Sequence, residues 1–231
     1  MNADISLALE PTEMLDSDHP AVIDFAMAAA GSGDQRERAV RLYYAVRDGF
    51  RYDPYQVDLS VSGLKASRVL ADGHGWCVPK AILLAAACRA IGLPARLGFA
   101  DVRNHLSTAR LRQLMNTDMF YYHGYTTMHL GGRWLKATPA FNVELCRKLG
   151  LHTLEFDGTT DSIYHPFDLA GKQHMEYVKD HGEFNDVPRN ALLQVFAQHY
   201  SRFERLDQAG AKHPDWDEDV AAEAAEARKR T

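Results

Sequence analysis

The chain has 231 residues, 46% of them hydrophobic and 25% charged, and a net charge of −5. That balance suits a folded chain with a substantial core, and mild acidity without a basic stripe argues against a nucleic-acid partner. The three cysteines, an odd number, exclude a fully paired intramolecular disulfide framework and make a reducing cytoplasm the simplest compartment.

Residues 1–14 read as an N-terminal tail, without the basic and apolar regions of a secretory signal. Asp16-Ser17-Asp18 ahead of Pro20 predicts a helix start, because Asp or Ser caps a helix and proline suits its first turn. Val22, Ile23, Phe25, Ala26 and Ala29 then recur at helical spacing until Gly31-Ser32-Gly33 stops them. Asp34 opens a second helix, with Ala39, Leu42, Tyr43 and Val46 on its apolar stripe, ending near Gly49. Phe50-Arg51-Tyr52 is β-prone, Lys65 to Leu70 predicts a brief helix, and 71–76 a loop.

Cys77 begins the next helix, which has Pro79 in its first turn and stops at Ile91-Gly92-Leu93-Pro94. Its body, Ala81 to Cys88, is apolar on nearly every face, which predicts a central buried helix; the run is far too short to cross a membrane. Strand patterns follow at 95–100 and 120–130, then a Gly131-Gly132 hairpin turn and a returning strand over 133–138 ended by Pro139. Helices ahead of an antiparallel sheet indicate an α+β fold. A short helix over 143–149, a mixed region up to Pro188 and a helix over 189–206 complete a single domain of residues 15–206. Residues 207–231 read as a polar helix or tail.

The chemistry concentrates in two places. Gly73-His74-Gly75-Trp76 delivers Cys77 to a helix N-terminus, where unpaired N–H groups and the helix dipole favour thiolate over thiol. Tyr121-Tyr122-His123-Gly124-Tyr125 then supplies a histidine able to act as base and acid on a bound acyl group. Cys88 and Cys146 read as small core residues. An alternative is a zinc site of His74 and Cys77 with His123 or His129, unsupported by any second paired motif. The stretch Asp157–Asp168, with His165 and His174, has irregular ligand spacing and reads as a solvated loop beside the cleft. Trp134 is expected in the hairpin core, and Arg103-Asn104-His105 either lines the cleft or makes a turn.

Residues 66–100, ASRVLADGHGWCVPKAILLAAACRAIGLPARLGFA, together with 123–139, HGYTTMHLGGRWLKATP, resemble the two signature segments of the transglutaminase-like superfamily, of the bacterial peptidase or amidase type. The resemblance covers roughly 35–142. It implies a papain/transglutaminase-like core in which a buried helix carrying the Cys packs on an antiparallel sheet carrying the His. Cys77 is then the nucleophile and His123 the base. The third member, an aspartate before the proline in the family, is Thr138 here, and a hydroxyl can only hydrogen-bond an imidazole. Asn142, or a carboxylate such as Asp157 or Asp161, could orient the ring instead. Tyr52, Tyr55 and Gln56 are candidate side-chain oxyanion donors beside the Cys77 N–H.

The expected chemistry is thiol-dependent acyl transfer on a peptide or small amide or ester, with no organic cofactor and no EF-hand-like calcium pattern. The residues do not choose between water and amine as acceptor. Arylamine acetyltransferases share the layout, but no acyl-donor nucleotide site is evident. Loss of the acidic third member makes a catalytically inactive peptide- or partner-binding domain the alternative.

Overall fold

The computed structural model describes residues 3–105, 107–164, 166–203 and 215–229. Six strands and nine helices follow in order among them: α1 (Ala3–Leu7), α2 (Pro20–Ala30), α3 (Gln35–Gly49), β1 (Arg51–Tyr52), α4 (Ala66–Asp72), β2 (His74–Gly75), α5 (Cys77–Ala90), β3 (Ala95–Asn104), α6 (Ala109–Met115), β4 (Met119–Leu130), β5 (Arg133–Ala137), α7 (Val143–Leu149), β6 (Met175–Phe184), α8 (Arg189–His199) and α9 (Trp216–Lys229). The architecture is α+β. An antiparallel sheet in the order β5-β4-β3-β6 packs on α5, and a two-residue parallel pair β1-β2 leads into that helix.

Local chemistry sets the helix ends. His19 caps α2, with Pro20 at its first position. Asp34 and Glu37 close a reciprocal capping box on α3, satisfying two N–H groups that would otherwise lack partners. The core helix α5 is buried from Cys77 to Arg89. Ile82, Leu83 and Leu84 are wholly inaccessible, each stabilising the fold by about 1.5–3 kcal/mol.

Lys80, on the first turn of α5, is completely buried among these apolar residues. Its ammonium donates to the Arg47, Phe50 and Ala140 carbonyls at 2.7–2.8 Å. Burial pulls its pKa down to about 7, while three carbonyl acceptors saturate its three N–H groups and favour the charged form. The contact ties the start of α5 to the end of α3 and to the segment after β5.

Several elements differ from the sequence reading. The first dozen residues, expected as a loose tail, hold α1 and bury Ala8, whose carbonyl accepts from the Ala95 N–H at 2.9 Å. The mixed region before Pro188 contains β6, an edge strand whose exposed run Glu176 to Asp180 mixes charged residues with Tyr177 and Val178, so it lacks alternation. The helix expected over 189–206 ends as α8 at His199 and, after a break at Tyr200, the chain is helical again over 201–203; residues 204–206 lie outside the described residues. Beyond them α9 is docked, with Trp216 and Val220 buried and the Trp216 ring edge-on to Tyr52 and Tyr55. Trp134 is only half-buried, because the hairpin tip leaves it between the Arg96 guanidinium, 4.1 Å from its ring, and His129.

Candidate active site

Cys77 is the first residue of α5, whose N-cap, Trp76, makes no side-chain capping bond. The first-turn N–H groups are therefore left facing the thiol. Backbone N–H groups of Gly124, Val78 and Cys77 itself all favour the thiolate, but burial outweighs them and pushes the Cys77 pKa up to about 12. His123 lies on β4, and burial alone pulls its pKa down to about 3. Both side chains are almost inaccessible, at 4% and 2%. They sit uncharged on the wall of one cavity.

Two features bring them together. Thr126 on β4 donates its hydroxyl to the Ala81 carbonyl of α5 at 2.9 Å. At Gly124 the strand approaches the helix so closely that a Cβ would lie 3.0 Å from Val78 Cα. A β-bulge adds a further positional device. Ala100 pairs with His123 but Val102 with Phe120, so Tyr121 and Tyr122 oppose Asp101 alone. Tyr122 takes φ +53°, uncommon for a non-glycine residue. Its N–H donates to Asp101 Oδ1 at 3.0 Å, and His181 Nε2 lies 2.8 Å from the same oxygen. His181 itself occupies an irregularity where β6 meets β3. One buried carboxylate thus braces the kinks on both of its neighbouring strands, immediately before His123.

Nε2 of the His123 ring is 2.9 Å from the Tyr164 hydroxyl. Tyr164 is buried, edge-on to the imidazole, and arrives because Ser162 bridges alongside β5 at Ala137. Thr138, the expected third member, is buried at the end of that strand. Its hydroxyl has no hydrogen-bond partner; the Tyr177 phenol is its polar neighbour, without hydrogen-bond geometry. The structure therefore does not bring Thr138 onto His123, because its hydroxyl is turned toward Tyr177 while Tyr164 takes the ring.

The other candidates are held elsewhere. Asn142 accepts from the Tyr52 N–H at 3.4 Å, Asp157 from Thr159 and Thr160 of its own turn, and Asp161 from the Lys136 N–H. Tyr52 lines the cavity with Cys77, whereas the Tyr55 hydroxyl bonds Asp219 at 2.6 Å and Gln56 is exposed beside a neighbouring cleft. Arg103 pairs with Asp118 and Glu176 on the surface. Cys88 and Cys146 are buried free thiols. Among the described residues no group of three His, Cys, Asp or Glu side chains could hold a metal; His165 lies outside them.

The cavity's cover was not legible in the sequence as a cover. Phe196 and Tyr200 were readable as an apolar helix face, but only the fold sets Phe196 against Trp76, with centroids 5.6 Å apart, and closes the space over Cys77. Tyr164 gave no signal at all: it is a lone tyrosine in an irregular segment, 41 positions from its partner. Asp101 and His181 likewise meet only through strand pairing.

A family model described as the transglutaminase-like superfamily matches residues 24–139, half of the chain. Similar solved structures include a candidate cysteine protease from Cytophaga hutchinsonii, 17% identical, with TM-score 0.47 over 80% of this chain and 55% of that one. A candidate protease from Parabacteroides distasonis is 15% identical, with TM-score 0.38 over 59% and 26% of the two chains. The arylamine N-acetyltransferase of Mycobacterium abscessus is 17% identical, with TM-score 0.39 over 57% and 46%. The chain thus spans about half or less of each of these proteins. No curated protein sequence matches it, and no helix among the described residues is long and apolar enough to cross a membrane.

Proposed function

Because the chain belongs to the transglutaminase-like superfamily, we propose that it is a thiol acyl-transfer enzyme with Cys77 as nucleophile and His123 as general base. The observation that carries this reading is the shared cavity at the open N-terminus of α5, where His123 lines the same wall as Cys77 and the Cys77 side chain meets the backbone N–H groups that favour a thiolate.

The Cys77 sulfur attacks the carbonyl carbon of an amide or ester as its proton passes to His123. The tetrahedral oxyanion is met by the Cys77 N–H and the α5 dipole. His123 then protonates the departing amine or alkoxide, the C–N or C–O bond breaks, and an acyl thioester remains on Cys77. Water or an amine attacks that thioester, gives its proton to His123, and the thiol is restored. Tyr164 takes the orienting place that a carboxylate holds elsewhere, through its bond to Nε2. A peptide or small acyl compound is the substrate class, and the compartment is a reducing cytoplasm.

One observation favours a second reading. Burial holds both the thiol and the imidazole uncharged, as suits a domain retained for binding alone. Alkylation of Cys77 by iodoacetamide between about pH 4 and 10, on wild type and His123→Ala, separates the two. An apparent pKa below the free-thiol value of about 8.5, rising in the variant, supports the enzyme; a slow thiol indifferent to His123 leaves the binding domain.

A further inference from the structure

The cavity beside Cys77 is walled by Trp76, Phe120, Phe196, Tyr200, Phe203 and Leu111, and among the described residues no charged side chain lines it. Of its polar groups, the Tyr200 hydroxyl is committed, donating to the Met119 carbonyl at 2.9 Å and accepting from the Tyr121 N–H at 2.6 Å, and the His123 Nε2 is engaged by Tyr164. A carboxylate or ammonium placed here would lose its water and meet no Asp, Glu, Lys or Arg partner among the lining residues, which is strongly unfavourable. The polarity reverses across Trp76. That side chain and Val57 also wall a separate cleft of about 260 Å³ that holds Asp58, Arg68, Asp72 and His74. Charge on a substrate is therefore accommodated on the far side of the indole and not beside the sulfur.

Volume narrows the choice further. The apolar cavity measures about 50 Å³. That exceeds the space for one water, about 10–15 Å³, and falls well short of the ~150 Å³ that accepts a benzene ring. Phe196 sets the limit, since its ring lies between Trp76 and Tyr200, with centroids 5.6 and 5.0 Å away.

Resting on the acyl-transfer reading, we infer that the group attached to the scissile carbonyl is small, uncharged and aliphatic, an acyl chain of about two to four carbons. The wall formed by α8 sets both its polarity and its length. The thioester formed on Cys77 then carries this chain in the cavity, and the leaving alcohol or amine departs toward the polar cleft.

The test is a panel of p-nitrophenyl esters, acetate, butyrate, hexanoate and hemisuccinate, hydrolysed by the full chain with Cys77→Ala as blank. Butyrate should exceed hemisuccinate in kcat/KM by about a hundredfold or more, and hexanoate should fall about tenfold below butyrate. Phe196→Ala, or Phe196→Leu should the first variant not fold, should move the optimum to hexanoate. Equal turnover of hemisuccinate and butyrate, or an unmoved optimum in a folded variant, overturns the inference.

Absence of any Cys77-dependent turnover would instead overturn the acyl-transfer reading. The cavity is then read by alkylation of Cys77 with N-ethyl iodoacetamide and iodoacetate, each rate divided by that of the unfolded chain. A preference for the neutral reagent of about tenfold or more upholds an apolar subsite, and a ratio near one overturns it.

Discussion

The Tyr164 hydroxyl lies 2.9 Å from Nε2 of His123, in the place where a carboxylate would hold the imidazole of a Cys–His pair. A neutral phenol can fix the ring and its tautomer but adds little charge to stabilise an imidazolium. Tyr164→Phe should leave the fold intact and lower kcat about tenfold or more, with a change in the His123 ring ¹⁵N shifts. Thr138→Val, removing a hydroxyl that has no partner, should leave kcat within about threefold and melt no lower than wild type, since an unsatisfied buried polar atom is lost. The opposite ranking in a kcat comparison would return Thr138 to the triad.

Asp101 acts on His123 through backbone. Its carboxylate holds the Tyr122 N–H in a conformation that costs a non-glycine residue about 1–3 kcal/mol. Asp101→Ala should release the bulge and depress kcat more than it depresses the melting temperature. Asp101→Asn retains an acceptor oxygen for that N–H and should recover part of the activity. Equal kcat in the two variants would show that Asp101 does not position the site.

Gly124 is the close approach of β4 to α5. A methyl there meets Val78 Cα and Cγ2 at 3.0 Å, so the strand and helix must separate by a few tenths of an ångström. Because that shift moves His123 relative to Cys77, Gly124→Ala should slow Cys77-dependent turnover about tenfold or more. Single-turnover kinetics alongside urea melting would separate this from simple destabilisation.

Lys80 anchors the helix that presents Cys77. Lys80→Met fills much the same space yet leaves the Arg47, Phe50 and Ala140 carbonyls without their donor. The expected loss is about 3 kcal/mol or more, read as a lowered urea midpoint at unchanged slope.

Stability should fall on mild acidification. Unfolded, the His123 imidazole takes up its proton near the model value of 6.5; folded, burial delays this to about pH 3. Between those values the unfolded chain binds more protons, so the contribution is complete above pH 6.5 and shrinks as pH drops. The loss amounts to on the order of 5 kcal/mol at the acid end. Urea titrations of wild type and His123→Gln at pH 7 and pH 4 should show a smaller drop in the variant; parallel drops would place the acid sensitivity elsewhere.

Much of the fold was legible because its signals are local. The caps at Asp34, the glycine stops after Ala30 and Ala90, the apolar body of α5 and the Gly131-Gly132 hairpin each depend on residues within a few positions of one another, and composition alone encodes them. The same locality marked Cys77, since a glycine turn followed by an apolar helix places a thiol at a helix N-terminus without reference to the rest of the chain. Strand β6 escaped because it is an exposed edge whose charged residues do not alternate.

The sequence by itself thus determined the helix that carries Cys77, the strand that carries His123 and the α+β class. Only the tertiary structure decided what orients the ring, what braces the bulge before it and what covers the sulfur. Tyr164, Asp101 with His181, and Phe196 with Tyr200 reach the site across 41, 21 to 80, and more than a hundred positions of chain. Contacts at such separations leave no periodicity or spacing to read, because they arise from strand register and packing, which are properties of the assembled sheet and not of any segment.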